Sequence, residues 1–184
     1  IDADGQHNVS DVPKLLQASK ENPLALVMGT PIYDDSVPKG RYYSRYITHV
    51  WVWIETLSFQ IKDSMCGFRI YPLDATIQLL SRSSLGNRMD FDTEVAVRLF
   101  WRNAPIVSIP TLVSYIPGGL SHFRMWRDNL LISWMHTRLF LGMCWRSPWL
   151  LLRRLLPVSK KKVHCIPREK STDTDEKALE ASPH

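Results

Sequence analysis

The chain is poor in cysteine. Cys66, Cys144 and Cys165 stand far apart among 184 residues with no CxxC pair, and the six histidines are scattered with no HExxH or comparable spacing. Neither a disulfide framework nor a zinc site is suggested, and the usage fits a reducing compartment. Long apolar runs are missing too. Where leucine and tryptophan are densest, His136, Arg138 and Arg146 interrupt the run and Pro148 follows, so no stretch reaches the roughly 18 to 20 residues that a spanning helix needs. That same segment has almost no acid. Between Ser121 and Pro157 six arginines (Arg124, Arg127, Arg138, Arg146, Arg153 and Arg154) meet Asp128 alone, with four tryptophans interleaved.

What is present suffices for a core: 45% hydrophobic residues in a chain of this length suit one domain with an appendage. Net charge is +5. The chain opens on Ile1 rather than Met, inside what reads as a strand and a metal loop, so it is expected to be the C-terminal part of a longer protein. In the opening IDADGQH, oxygen-bearing Asp2, Asp4 and Gln6 alternate. If Ile1 ends a buried strand, these three side chains emerge on one face. Such a set suits Mg²⁺ or Mn²⁺, and Mg²⁺ usually takes one or two carboxylates and completes its shell with water and substrate phosphates. A diphosphate is the ligand this chemistry favours. Taken alone, an acidic pair in a polar loop is more often solvated surface or a helix cap.

Ser10 to Asn22 reads as a helix, capped by Ser10 or Asp11 with Pro13 in its first turn. Leu24 to Gly29 is a short apolar run of the kind found in strands buried on both faces. Thr30 to Arg45, with Pro31, Pro38 and Gly40, reads as a long loop, a length often associated with lids or binding loops. Tyr46 to Lys62 has the spacing of a core helix, with Val50, Ile54, Leu57 and Ile61 on one face. KDSMCGFRIYPL turns at Gly67 and forms a short strand, and Asp74 caps a small helix ending near Ser84. RMDFDTEVAVRLFWRN reads as a further helix capped at Asp92. VSIPTLVSY alternates as a strand and carries Pro110, which places it at a sheet edge. The arginine and tryptophan segment, 120–157, is expected to form two amphipathic helices in the headgroup region of an anionic membrane. The competing expectation is a pair of core helices packed on the sheet. Residues 158–184 read as a disordered tail.

In this order the pieces resemble the C-terminal portion of a family 2 glycosyltransferase of GT-A fold. It is similar to the dolichyl- and polyprenyl-phosphate sugar transferases, and more similar still to bacterial relatives found with polyene and fatty-acid-like lipid biosynthesis genes. It is carried by DADGQH, GTPIYDDSVPKGRYYSR, DSMCGFRIYPL and FDTEVAVRLFWRNAPIVSIPTLVSYIPGGLSHFR, about two thirds of the chain. The implied fold class is α/β, a mixed GT-A sheet flanked by helices, with residues 1–119 holding the metal and acceptor sides. The implied metal ligands are Asp2, Asp4 and Gln6. Arg41 or Arg45, in the acceptor loop, is implied to contact phosphate. Asp63, heading DxxxGFR, matches a position near the transferred sugar, and Arg69, which completes the motif, is implied to lie with the acceptor- and phosphate-binding residues. Ser121 and His122 stand where the family usually has Ser and Lys, and Arg124 or Arg127 can replace the charge that a neutral His122 lacks.

The implied activity is inverting, metal-dependent transfer of a sugar from a nucleotide-diphosphate donor to a lipid-linked acceptor, either a polyprenyl phosphate or a lipid hydroxyl. A lipid phosphate needs arginines and no strong base. A hydroxyl needs a carboxylate to take its proton, Asp63 first and Asp92 second. The expected place is peripheral, on the cytoplasmic face of a membrane. The alternative is a catalytically silent membrane-surface scaffold with a transferase-like fold. Nucleic acid is not an expected partner, because the basic residues alternate with leucine-rich runs rather than polar ones.

Overall fold

The computed structural model describes residues 1–2, 5–33, 39–113 and 124–155. Asp4, Ser121, His122 and the tail after residue 155 lie outside the described residues. After a 3-10 turn at Val9–Asp11, the elements run α1 (Val12–Glu21), β1 (Leu26–Tyr33), α2 (Lys39–Thr56), β2 (Arg69–Ile70), α3 (Leu73–Arg82), α4 (Phe91–Trp101), β3 (Ile106–Val113) and α5 (Met125–Leu155).

The sheet is small and mixed, in the order β2-β1-β3. β1 and β3 are parallel from Leu26↔Ile106 to Tyr33↔Val113, and β2 pairs antiparallel with β1 through Val27↔Ile70 and Met28↔Arg69. Alternation along β1 divides the core. Leu26 and Met28 pack with α2, α4 and α5, whereas Ala25 and Val27 pack with Leu15 and Ala18 of α1 and with Val107 and Ile109 of β3. The protein is therefore a three-layer α/β structure. Among the described residues β3, with Pro110, stands at the edge of the sheet, and its last residue is bridged by His7.

Both ends of α2 differ from expectation, and α3 and α4 begin at Leu73 and Phe91, one residue ahead of the expected caps Asp74 and Asp92. α2 begins at Lys39, so the expected long loop is shorter and both Arg41 and Arg45 lie on a helix. It also stops early, at Thr56, because Leu57 adopts a left-handed φ of 49°. Leu57 N–H then donates to Ile54 O and Ser58 N–H to Trp53 O, satisfying carbonyls at the helix end. Asn103, at φ 64°, ends α4 in the same way.

The C-terminal segment forms one helix, not two. Pro148 lacks the N–H that would bond the Cys144 carbonyl, and the Ser147 hydroxyl donates to that carbonyl instead at 2.9 Å. One face of α5 buries Met135, Leu139, Met143 and Leu150 in the core. Several arginines of the basic segment turn toward α4. Arg138 donates to Glu94 at 3.0 Å, Arg146 stacks on Trp101, and Arg153 stacks on Phe100. Glu94 is fully buried and also accepts from Arg98, four residues on. Among the described residues no helix is long and apolar enough to cross a membrane.

Between α2 and α5 lies a second buried acid. Glu55 accepts or shares a proton with His136 Nδ1 at 2.7 Å. Burial pushes the Glu55 carboxyl above its ordinary range, and His136 offsets this only in part. A carboxylate whose folded pKa is raised favours folding at low pH and loses that contribution as pH rises through the folded value. Stability of the parent should therefore fall, relative to Glu55→Gln, as pH rises from about 4.5 toward neutrality. Chemical denaturation across that range checks this, and parallel curves for the two proteins would contradict it.

Candidate functional site

At the carboxyl ends of β1 and β3, a cavity of about 90 Å³ lies between the N-terminal segment, α2 and the turn before β2. Asp2, Gln6 and His7 line one side, Tyr33 and Arg45 another, and Met65, Cys66 and Gly67 a third. The first and third sides are separated by about sixty residues of sequence and meet because Gly67 has no side chain. A Cβ at that position would overlap the Asp2 carboxylate. The glycine of DxxxGFR is thus the seat of the first aspartate of DxD.

The N-terminal segment reaches the cavity by a different route from the one expected. Ile1 is 64% exposed and lies in no strand. Gly5 takes a left-handed φ of 72°, which breaks strict alternation between neighbouring side chains. Asp2 and Gln6 nevertheless both face the cavity, joined by His7. His7 Nε2 stands 3.8 Å from the Asp2 carboxylate, and this imidazole is the main influence holding Asp2 below the ordinary carboxylate range. The Nδ1 of His7 is buried with no hydrogen-bond partner.

Arg45 is fixed by Asp63. One guanidinium nitrogen lies 3.0 and 2.9 Å from the two carboxylate oxygens, and the Arg45 cation sits over the Tyr33 ring at 5.6 Å. Asp63 also accepts the backbone N–H groups of Met65 and Cys66, both at 2.8 Å, and lies 3.3 Å from His49 Nε2. Burial alone would raise its pKa, but His49 and Arg45 outweigh it and hold the carboxyl far below the usual range. A carboxylate so thoroughly satisfied is a poor proton acceptor. Its physical work here is to hold Arg45 and shape the 63–66 turn. His49 Nδ1 reaches Ser64 Oγ at 3.3 Å, so Ser64, His49 and Asp63 follow the order of a hydrolase triad. Ser64 is completely buried, and its hydroxyl is closed to any substrate.

Arg69 does not face a ligand. Its side chain is 1% exposed, and its guanidinium donates at 2.6 Å to three backbone carbonyls, those of Ser64, Cys66 and Asp92. It clamps the DxxxGFR turn onto α4, and all three guanidinium nitrogens are engaged there instead of at the cavity. Asp92 does not line the cavity. It accepts the Tyr71 hydroxyl at 2.5 Å while keeping its side chain 40% exposed. Arg124 is exposed just before α5, and its backbone N–H donates to the Asp128 carboxylate at 2.7 Å. Burial pushes the Cys66 thiol up to about 11, so it lines the cavity as a neutral, weakly reactive group.

Among the described residues no group of three or more His, Cys, Asp or Glu is arranged to hold a metal ion, and Asp4 lies outside them. No protein-family model matches this chain, and no curated protein or solved structure is significantly similar to it. The site therefore has to be read from its own residues. Sequence reasoning missed His7 and His49. A lone histidine carries no spacing signal, although His49 stands one helical turn after Arg45 and so shares its face of α2.

Proposed function

We propose that this chain supplies the cation and acceptor sides of a GT-A-type sugar transferase, moving a sugar with inversion from a nucleotide-diphosphate donor to a lipid-linked acceptor. The observation that carries this reading is the convergence of Asp2 and Gln6 with a carboxylate-anchored Arg45 on one small polar cavity. The donor set fits a hard cation: one ionised carboxylate and one amide oxygen, with Asp4 two residues from each in sequence. Asp2, Asp4 and Gln6 would hold Mg²⁺ or Mn²⁺. A divalent cation bound there supplies positive charge for a departing diphosphate.

The chain's own groups do the rest. Arg45, oriented by Asp63 and stacked on Tyr33, presents a fixed cation to an anionic acceptor. A lipid phosphate held this way arrives already ionised and needs no base. For a hydroxyl acceptor neither candidate carboxylate stands open at the cavity, because Asp63 is enclosed by four donors and Asp92, though partly exposed, lies outside its lining, which favours the phosphate acceptor. Ser121, His122, Arg41 and Arg124 complete the proposed acceptor side.

The reading is tested by offering the intact protein nucleotide-diphosphate sugars with polyprenyl phosphate or a lipid hydroxyl. Transfer that requires Mg²⁺ or Mn²⁺, stops with chelator and gives an inverted anomer is expected. Absence of transfer to every acceptor with metal present would leave the silent scaffold as the better account.

A further inference from the structure

Residues 75–89, 95–113 and 129–155 hold eight arginines and neither aspartate nor glutamate. Packing gathers several of these cations around the C-terminal end of α4. Arg98 and Arg102 stand one turn apart on that helix and share a face. From α5, Arg146 lies 4.8 Å from the Trp101 ring and Arg153 lies 4.9 Å from that of Phe100. Arg82 occupies the last turn of α3, which packs beside α4.

Cations commonly collect at a helix C-terminus because its last carbonyls are unpaired. That need is already met in α4. The carbonyls of Arg98, Leu99 and Phe100 accept the N–H groups of Arg102, Ala104 and Asn103. Glu94, the acid one turn before Arg98, is buried and taken up by Arg98 and Arg138. Arg82 and Arg102 are exposed, with no ion pair or side-chain hydrogen bond among the described residues. Desolvation, and after it the charges of Arg82, Arg98 and Arg146, hold Arg102 below the ordinary guanidinium range. Like charges assembled without an acid to offset them repel one another until an anion joins them.

From this arrangement we infer that Arg82, Arg102 and Arg146 form a binding site for a soluble polyphosphate anion, of which inorganic pyrophosphate is the smallest example. The planar guanidinium fork matches a pair of phosphate oxygens, and three such forks call for more negative charge than a lone carboxylate carries. Arg146 is held in place by its stacking on Trp101 and by one hydrogen bond to the Gly142 carbonyl at 3.0 Å, which leaves its other N–H groups for a ligand. The site is separate from the cavity. α4 begins at the turn that Arg69 clamps and runs 11 residues, about 16 Å, before reaching the arginines. The inference therefore does not rest on the transferase reading.

The test is calorimetric titration of pyrophosphate into the whole chain, with chelator present so that no divalent ion takes part and at about 0.15 M salt so that diffuse attraction is screened. Saturable uptake of one anion is expected. Arg82→Gln and Arg102→Gln should each weaken it about tenfold. Without the anion both variants should melt at or above the parent, since each removes a repelling charge. Lys20→Gln, at an exposed position on α1, should leave uptake unchanged, and so should Arg45→Gln at the cavity. No saturable uptake overturns the inference, as does uptake that survives both arginine substitutions. Loss with Arg45→Gln but none with Arg82→Gln would assign the anion to the cavity instead. Equal uptake of sulfate at the same ionic strength would reduce the cluster to a general attraction for anions. Binding of phosphatidylglycerol vesicles through Arg82 and Arg102, with no uptake of pyrophosphate, would likewise contradict a soluble ligand. The titration needs no sugar donor, so uptake without transfer sinks only the proposed activity, and transfer without uptake sinks only this inference.

Discussion

Asp2→Asn is expected to lower the proposed metal-dependent sugar transfer by about a hundredfold, equivalent to about 2.7 kcal/mol of barrier, with little change in melting temperature. The side chain is half exposed, and its carboxylate meets the protein at Gly67 and at His7, 3.8 Å away. Removing its charge therefore costs the fold little. Gly67→Ala should produce a comparable loss by a different route. The added methyl group cannot share space with the Asp2 carboxylate, so the charge is kept but displaced. If both variants stay within about threefold of the parent, Asp2 contributes too little to count as a ligand.

Asp63→Asn should act on stability first. The carboxylate is 5% exposed and is a partner of Arg45 and a neighbour of His49, so its neutralisation removes a counter-charge from a partly buried cation. Breaking such a pair costs about 3 kcal/mol, which for a chain of this size corresponds to a fall of roughly 10 °C in melting temperature. The sign with pH follows from the lowered pKa. The folded-state value lies below the unfolded one, so the stabilisation is complete above about pH 4 and is lost as pH falls toward the folded value. The gap between parent and variant should be constant near neutrality and close in acid. An Asp63→Asn protein that melts with the parent but transfers nothing to a hydroxyl acceptor would instead restore Asp63 as the proton acceptor.

Much of the fold was legible because burial writes a period into sequence. The unbroken apolar run at Leu26 to Met28 marks a strand covered on both faces, and Pro110 marks an edge. The end of α4 at Asn103 could be read, since asparagine tolerates the left-handed region. The end of α2 could not, because leucine at position 57 has no such preference and is held there by its surroundings. Pro148 misled for a related reason. The hydroxyl that repairs the helix belongs to Ser147, whose rotamer no pattern reveals. At the site, the pairing of Asp2 with Gly67 brings together two motifs that the sequence presents separately, and it depends on how the chain closes. Arg69 shows the opposite case. A motif arginine that suggests a ligand proves to be spent on three carbonyls.

The most direct measurement is calorimetric titration of Mn²⁺ into the intact protein in the presence of a nucleotide-diphosphate sugar. The account predicts uptake at a site whose affinity falls at least about tenfold in Asp2→Asn. Equal uptake by parent and variant, or none by either, would contradict it.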